Sequence, residues 1–106
     1  MIYKASEHLK YQIEWTKATD SEWIYCGSIG EVKFEVVFEH IRMHFTGSNF
    51  YISINRNESF QSHSEELFTR IKDFVGLKDF FIWDSAFKKV IEFNHIGVFR
   101  KGVVLT

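Results

Sequence analysis

The sequence predicts an α+β fold, with an antiparallel, meander-like sheet of about five to six strands and one or two helices on one face. Three observations favour this class. Apolar and polar residues alternate along much of residues 31–45 and again along 50–55, as they do in half-buried strands. Residues 63–75 repeat their apolar positions with a helical period and stop at Gly76. The 106 residues, of which 45% are hydrophobic, are enough for one domain with its own core, which we expect to span residues 1–106.

The N-terminal part alternates less clearly. Residues 8–15 read as a first strand, but Leu9 and Ile13 also stand at helical spacing, so an N-terminal helix remains the alternative. Residues 23–29 read as a second strand. Gly30 then has the position of the first residue in a type II′ turn, which predicts a hairpin between this strand and the residues that follow.

The central stretch is the clearest strand candidate but contains a change of phase. Its apolar residues are even-numbered from Val32 to Phe38 and odd-numbered from Ile41 to Phe45. A β-bulge shifts the phase by one residue, so we expect one long, bent strand over 31–45, with two strands joined by a tight corner as the alternative. Folding the chain about residues 46–49 then pairs its second half with residues 50–54, apolar against apolar.

The later residues are mixed. We expect a polar loop over 57–63, then a helix over about 63–75 that begins with a capping box between Ser62 and Glu65. Further predictions are a strand over 80–83, a short helix that begins at Asp84 or Ser85 and carries Phe87, Val90 and Ile91, and a final strand over 98–105.

Charge and cysteine content narrow the functional classes. Thirteen basic residues against fourteen acidic ones leave a net charge of −1, which makes nucleic acid an unfavoured partner. The single cysteine, Cys26, suits a reducing compartment, and no apolar run is long enough to cross a membrane. We therefore expect a cytoplasmic protein without a membrane partner. We see no cofactor or metal motif.

One cluster of residues could carry catalysis. If 31–45 is a strand, then His40, Arg42 and His44 share its polar face, and Tyr51 lies on the strand that follows. Two imidazoles, a guanidinium and a phenol on one surface could perform general acid–base chemistry on a phosphodiester. An ordinary solvated sheet face is the more common role for such residues, so our main prediction has no catalytic residue.

A second set of residues could bind a protein partner. Acidic residues that would share a strand face, together with those of the following loop and helix, could present a negative surface to a basic protein. These residues are Glu31, Glu35, Glu39, Glu58, Glu65, Glu66 and Asp73. Aromatic residues make up 18% of the chain, and Trp83 is the one we predict to anchor a partner.

These features favour a non-enzymatic protein-binding module with one protein partner. The role that fits best is a small bacterial immunity or antitoxin protein that neutralises a basic toxin, for example a nuclease. The alternatives are a small nuclease or phosphodiesterase that uses the His-Arg-His face, and a module that binds a small ligand in an aromatic pocket. Homodimerisation is compatible with all three roles.

Overall fold

The structure, a computed structural model, describes residues 1–17, 21–28 and 30–105. The described residues form three helices and seven strands. In chain order these are α1 (Ile2–Leu9), β1 (Ile13–Trp15), β2 (Ile24–Tyr25), α2 (Phe34–His44), β3 (Asn49–Asn55), β4 (Glu58–His63), α3 (Ser64–Ile71), β5 (Phe80–Asp84), β6 (Lys89–Asn94) and β7 (Val98–Val104). The α+β class predicted from the sequence is confirmed.

The seven described strands form one antiparallel sheet in the order β1-β7-β6-β5-β3-β4, with β2 paired beside β1 on β7. Strands that follow one another in sequence are neighbours from β5 to β7 and from β3 to β4. Strand β3 also pairs with β5, although β4 and α3 lie between them in sequence. The long β7 accepts two short strands on its outer side, β1 along residues 102–104 and β2 along 98–99.

Helices α2 and α3 cover one face of the sheet and form what we call the helical layer. In α2 and just beyond it, the inward residues recur at helical spacing, and Val37, Ile41 and Phe45 are buried. Leu67 and Ile71 do the same for α3. These side chains meet alternate residues of the central strands in one apolar core, namely Phe50, Ile52, Phe80, Ile82, Ile91, Phe93 and Phe99.

Helix α1 covers part of the opposite face, which we call the back face. Trp83, which alternates with the core residues of β5, is fully buried there, and its indole Nε1–H donates to the hydroxyl of Ser6 at 2.9 Å. Ser6 is itself only 1% exposed. This side of the sheet therefore has an interior of its own, which explains why β5 and β6 carry apolar residues on both faces.

The long bent strand predicted over 31–45 is wrong, because residues 34–44 form helix α2. The change of phase that we attributed to a bulge is the helical period: residues 34, 37, 38, 41 and 45 all turn toward the sheet. The hairpins that depended on this strand are absent from the described residues. The segment after Gly47 is a strand, as predicted, but it pairs with β4 and β5.

Other boundaries also differ from the prediction. The N-terminal alternative was correct for residues 2–9, which are helical, and only residues 13–15 are extended. The loop predicted over 57–63 is strand β4, and the helix predicted from Asp84 is a turn followed by strand β6. The predicted helix over 63–75 is confirmed over 64–71, and the strands predicted over 80–83 and 98–105 correspond to β5 and β7.

The second strand is shorter than predicted. Only residues 24–25 of the predicted 23–29 are extended, and Ile29 lies outside the described residues. Gly76 has a φ of 82°, the left-handed conformation expected of a residue that closes a helical segment. None of the described helices has the length and apolar character that a membrane-crossing helix requires.

Candidate partner-binding surface

An aromatic cluster lies between the two helices of the helical layer. The ring centroids of Phe38 and Phe68 are 4.6 Å apart, and Phe34 lies 5.9 Å from Phe38. All three rings are half-buried at the edge of the core. The guanidinium of Arg42 lies 5.1 Å from the Phe68 centroid, and the ammonium of Lys72 lies 5.9 Å from the centroids of both α2 rings. Half-buried aromatic rings beneath cationic side chains give this layer rigid, partly accessible apolar area.

Three carboxylates lie on α2 or in the loop just before it. Glu35 and Glu39 are exposed and stand four residues apart, so they share the outer face of the helix. Glu31 is exposed in the loop before α2, where its backbone N–H donates to the carbonyl of Ser28 at 2.9 Å. Glu39 is 3.9 Å from the guanidinium of Arg42, and both side chains are more than half exposed, so this pair leaves Glu39 accessible to a partner.

The α3 side contributes three further carboxylates. Glu65 and Glu66 lie in the first turn of α3, where the helix dipole favours negative charge, and both are exposed. Asp73 is exposed in the turns that follow the helix. We call Glu31, Glu35, Glu39, Glu65, Glu66 and Asp73 the acidic surface. Residues 31–45 and 64–75 together carry these six carboxylates and four Lys or Arg residues, so the layer has a net negative charge.

Glu58 does not belong to this surface. It begins strand β4 at the edge of the sheet, where its carboxylate pairs with the ammonium of Lys78 at 2.9 Å. This ion pair and a hydrogen bond from Asn55 neutralise and hold the side chain. The pKa of Glu58 is lowered, first by the hydrogen bond from Lys78.

The residues of the catalytic hypothesis are not on one face. His40 and His44 lie on α2, which covers the helical side of the sheet, whereas Tyr51 points to the back face and stacks on Phe87 with 5.0 Å between centroids. Arg42 is exposed above the aromatic cluster. These four residues therefore do not share the single polar face on which the catalytic hypothesis was based.

Both histidines of α2 instead serve packing. The Nε2 of His44 lies 3.1 Å from the carbonyl oxygen of Val90 and 3.0 Å from that of Gly102, so it must carry a hydrogen and donate to both. His40 packs edge-on against Phe99, and its Nδ1 is buried without a hydrogen-bond partner among the described residues. Burial lowers the pKa of both imidazoles, which favours the neutral ring, and Lys101 adds to the effect at each.

Two further residues are buried rather than exposed. Trp83, the predicted anchor, is 0% exposed, so its indole is part of the interior and offers no surface to a partner. The thiol of Cys26 donates to the carbonyl of Gly97 at 3.3 Å, and burial raises its pKa to about 11. A thiol with this pKa stays protonated at neutral pH and is a poor nucleophile.

The back face holds a groove that the sequence did not suggest. The groove has a volume of about 570 Å³, and its lining includes Trp15, Phe81, Glu92 and Arg100. The guanidinium of Arg100 lies 3.9 Å from the Trp15 ring and 4.5 Å from the ring of Trp23.

Arg100 also pairs with two carboxylates, at 2.8 Å from Glu92 and 2.8 Å from Glu22. These contacts fasten Trp15, Glu22 and Trp23 to β7, and they pair the guanidinium with two carboxylates. The partners are 8 and 78 residues from Arg100 in sequence, so no local pattern could have revealed the cluster.

Within residues 1–17, 21–28 and 30–105, no three His, Cys, Asp or Glu side chains come together as they would in a metal site. Neither a family model, nor a curated protein, nor a solved structure matches this chain.

Proposed function

We propose that this chain is a non-enzymatic protein-binding module, and that it acts as a small bacterial immunity or antitoxin protein in the cytoplasm. In this role it would bind one cognate toxin that has a basic surface, such as a nuclease, and block it. The observation that carries the proposal is the helical layer, which combines half-buried aromatic rings with exposed carboxylates on its two helices and the residues that flank them.

The layout of this layer matches what protein recognition requires. Aromatic rings that are already packed lose little side-chain entropy on binding, so the cluster of Phe34, Phe38 and Phe68 can supply apolar contact area. The exposed carboxylates would orient the two proteins and raise their association rate, because complementary charge steers the encounter of two proteins. A basic nuclease site, which must attract phosphates, would meet these carboxylates in place of its substrate.

The roles of the histidines also favour binding over catalysis. His44 donates from Nε2 to two backbone carbonyls, and His40 lies edge-on against Phe99, so both imidazoles contribute to the packing of α2 on the sheet. A protein that acts by occupying a partner needs no reactive group of its own.

The experiment is a neutralisation assay with charge-reversal variants. A basic protein from the source organism that arrests growth when expressed alone should be neutralised by co-expression of this chain. Glu35→Lys/Glu39→Lys should slow the association with that protein by about tenfold and reduce the protection. Glu14→Lys reverses an exposed carboxylate on β1 and is the matched control, which should protect like the parent.

Two further measurements separate this role from catalysis. The parent association rate should fall as salt rises, because the contacts are between solvent-exposed charges. The purified chain should leave RNA and DNA intact. Cleavage of either by the parent, lost in a His40→Ala/His44→Ala variant, would replace this proposal with an enzymatic role.

A further inference from the structure

Strand β4 forms an edge of the sheet whose outer side is open within the described part of the chain. The strand order ends at β4, and its described partner is β3 alone. The opposite edge is divided, because β1 and β2 are short and pair with separate stretches of β7. Short and interrupted edge strands discourage pairing with another chain, whereas a longer, continuous one invites it. β4, with six residues, is the edge better suited to accept a strand.

The register shows which backbone groups of β4 face outward. The N–H of Ser64 donates to the carbonyl of Ser48 at 2.8 Å, which makes this a hydrogen-bonded pair continuous with the β3–β4 register. Hydrogen-bonded and non-hydrogen-bonded pairs alternate along an antiparallel ladder. Ser62 and Phe60 therefore direct their backbone groups to β3, while the backbone groups of residues 59, 61 and 63 face the open edge.

This edge lacks the features that usually prevent strand addition. Residues 59–63 contain no Asp, Glu, Lys, Arg or Pro, and the register shift in the β3–β4 ladder lies before them, between Ser53 and Asn55. Glu58, at the start of the strand, is neutralised by Lys78. A charged strand would find no opposite charge to pair with at residues 59–63. The same residues of a second copy carry no formal charge, so the two strands would not repel each other.

We propose that β4 pairs with β4 of a second copy of this chain, antiparallel, across a twofold axis at Gln61. The N–H of Gln61 would donate to the carbonyl of Gln61 in the second copy, and the reverse bond would follow by symmetry. The N–H of His63 would donate to the carbonyl of Ser59 in the second copy. The two sheets would then join into one.

The side chains are compatible with this register. Gln61 faces itself, and its exposed amide can both donate and accept. Ser59 faces His63, a hydroxyl opposite an imidazole. Phe60 faces Ser62, whose small side chain is buried, and the Phe60 ring is covered by the guanidinium of Arg70 at 3.6 Å. Within residues 59–63 no Asp, Glu, Lys or Arg faces a like charge, and every pairing of these residues follows the twofold symmetry.

The test is the mass in solution across protein concentrations, measured by light scattering during size exclusion and by sedimentation equilibrium. The parent should approach twice its 12.6 kDa monomer mass. Gln61→Lys and Gln61→Glu each place like charges on the axis and should raise the dimer dissociation constant about tenfold or more. An equimolar mixture of the two variants should restore the dimer, because only position 61 faces itself.

Gln12→Lys is the matched control, since Gln12 is exposed near β1 at the other edge, and it should dimerise like the parent. Amide hydrogen exchange gives a second readout, in which the N–H groups of Gln61 and His63 should become protected as concentration rises. A parent that stays monomeric would overturn the proposal. So would a dimer that both charged variants leave intact, a mixture that fails to recover it, or binding of a different protein to β4 without self-association. The outcome is independent of the neutralisation assay, which concerns the helical layer.

Discussion

The hydrogen bond between Ser6 and Trp83 is the contact that ties α1 to the back face. Its donor and acceptor are 2.9 Å apart, and neither residue is more than 1% exposed. Ser6→Ala removes the acceptor and leaves the buried indole N–H without this hydrogen-bond partner. Such an unsatisfied group costs about 1–3 kcal/mol, which is a large share of the ~5–15 kcal/mol that stabilises a typical domain. We therefore expect the unfolding free energy to fall by about 2 kcal/mol and the melting temperature by roughly 10 °C.

Urea denaturation followed by circular dichroism measures this change, and a double-mutant cycle isolates the bond. Trp83→Phe removes the donor together with part of the ring, so it destabilises the chain for packing reasons as well. In the Trp83→Phe background, Ser6→Ala no longer leaves an N–H without a partner and should cost at least about 0.5 kcal/mol less than in the parent. If Ser6→Ala changes the parent by less than about 0.5 kcal/mol, as an ordinary surface substitution does, then α1 does not dock as described.

Three other perturbations test separate parts of the fold, each by urea denaturation. Burial lowers the pKa of His44 below 6.5, so the unfolded chain takes up the proton first as pH falls. The unfolding free energy should be highest above about pH 7 and should decline below about pH 6.5. His44→Ala should make this decline shallower and should lower the unfolding free energy by about 1–3 kcal/mol at neutral pH. Arg100→Ala should lower the unfolding free energy by about 1–3 kcal/mol, because it leaves two carboxylates and two indoles without their partner. Arg42→Ala is the control at an exposed side chain and should change the unfolding free energy by no more than about 0.5 kcal/mol. Gly102→Ala would place a Cβ 2.5 Å from a side-chain atom of β1 and should cost about 1–3 kcal/mol, while Gly47→Ala meets open space and should change little.

The fold class could be predicted from the sequence because the apolar residues of several elements follow either the strand period or the helix period, but not both. Residues 50–54 alternate on a strand with one clear core face, and the helical repeat of 64–71 leads toward a glycine with positive φ at 76. These local patterns agree with the tertiary structure, so they were sufficient.

Helix α2 could not be predicted in the same way, because its apolar residues fit the period of a strand and the period of a helix equally well. Its Val, Phe and Ile residues favour strands, and both halves of the segment alternate. Packing against the sheet decides for the helix, because Val37 and Ile41 reach the core only on a helical path. The break in alternation at residues 39–40, with no turn residue to explain it, was the available signal for a helix.

Strand β6 was misread for a different reason. Val90 is buried against the back face and Ile91 against the helical layer, so the strand has apolar residues on both sides and no alternation. The burial of Trp83 depends in the same way on α1, nearly eighty residues away in sequence. No local pattern contains this information, which is why the burial of Trp83 could not be predicted from the sequence.

The central claim, that exposed carboxylates of the helical layer bind a basic protein, is tested most directly by measuring association rates with the neutralised toxin. We expect the Glu35→Lys/Glu39→Lys variant to associate about tenfold more slowly than the parent at low salt, and Glu14→Lys to associate at the parent rate. Equal rates for all three proteins, or a rate that does not depend on salt, would contradict it.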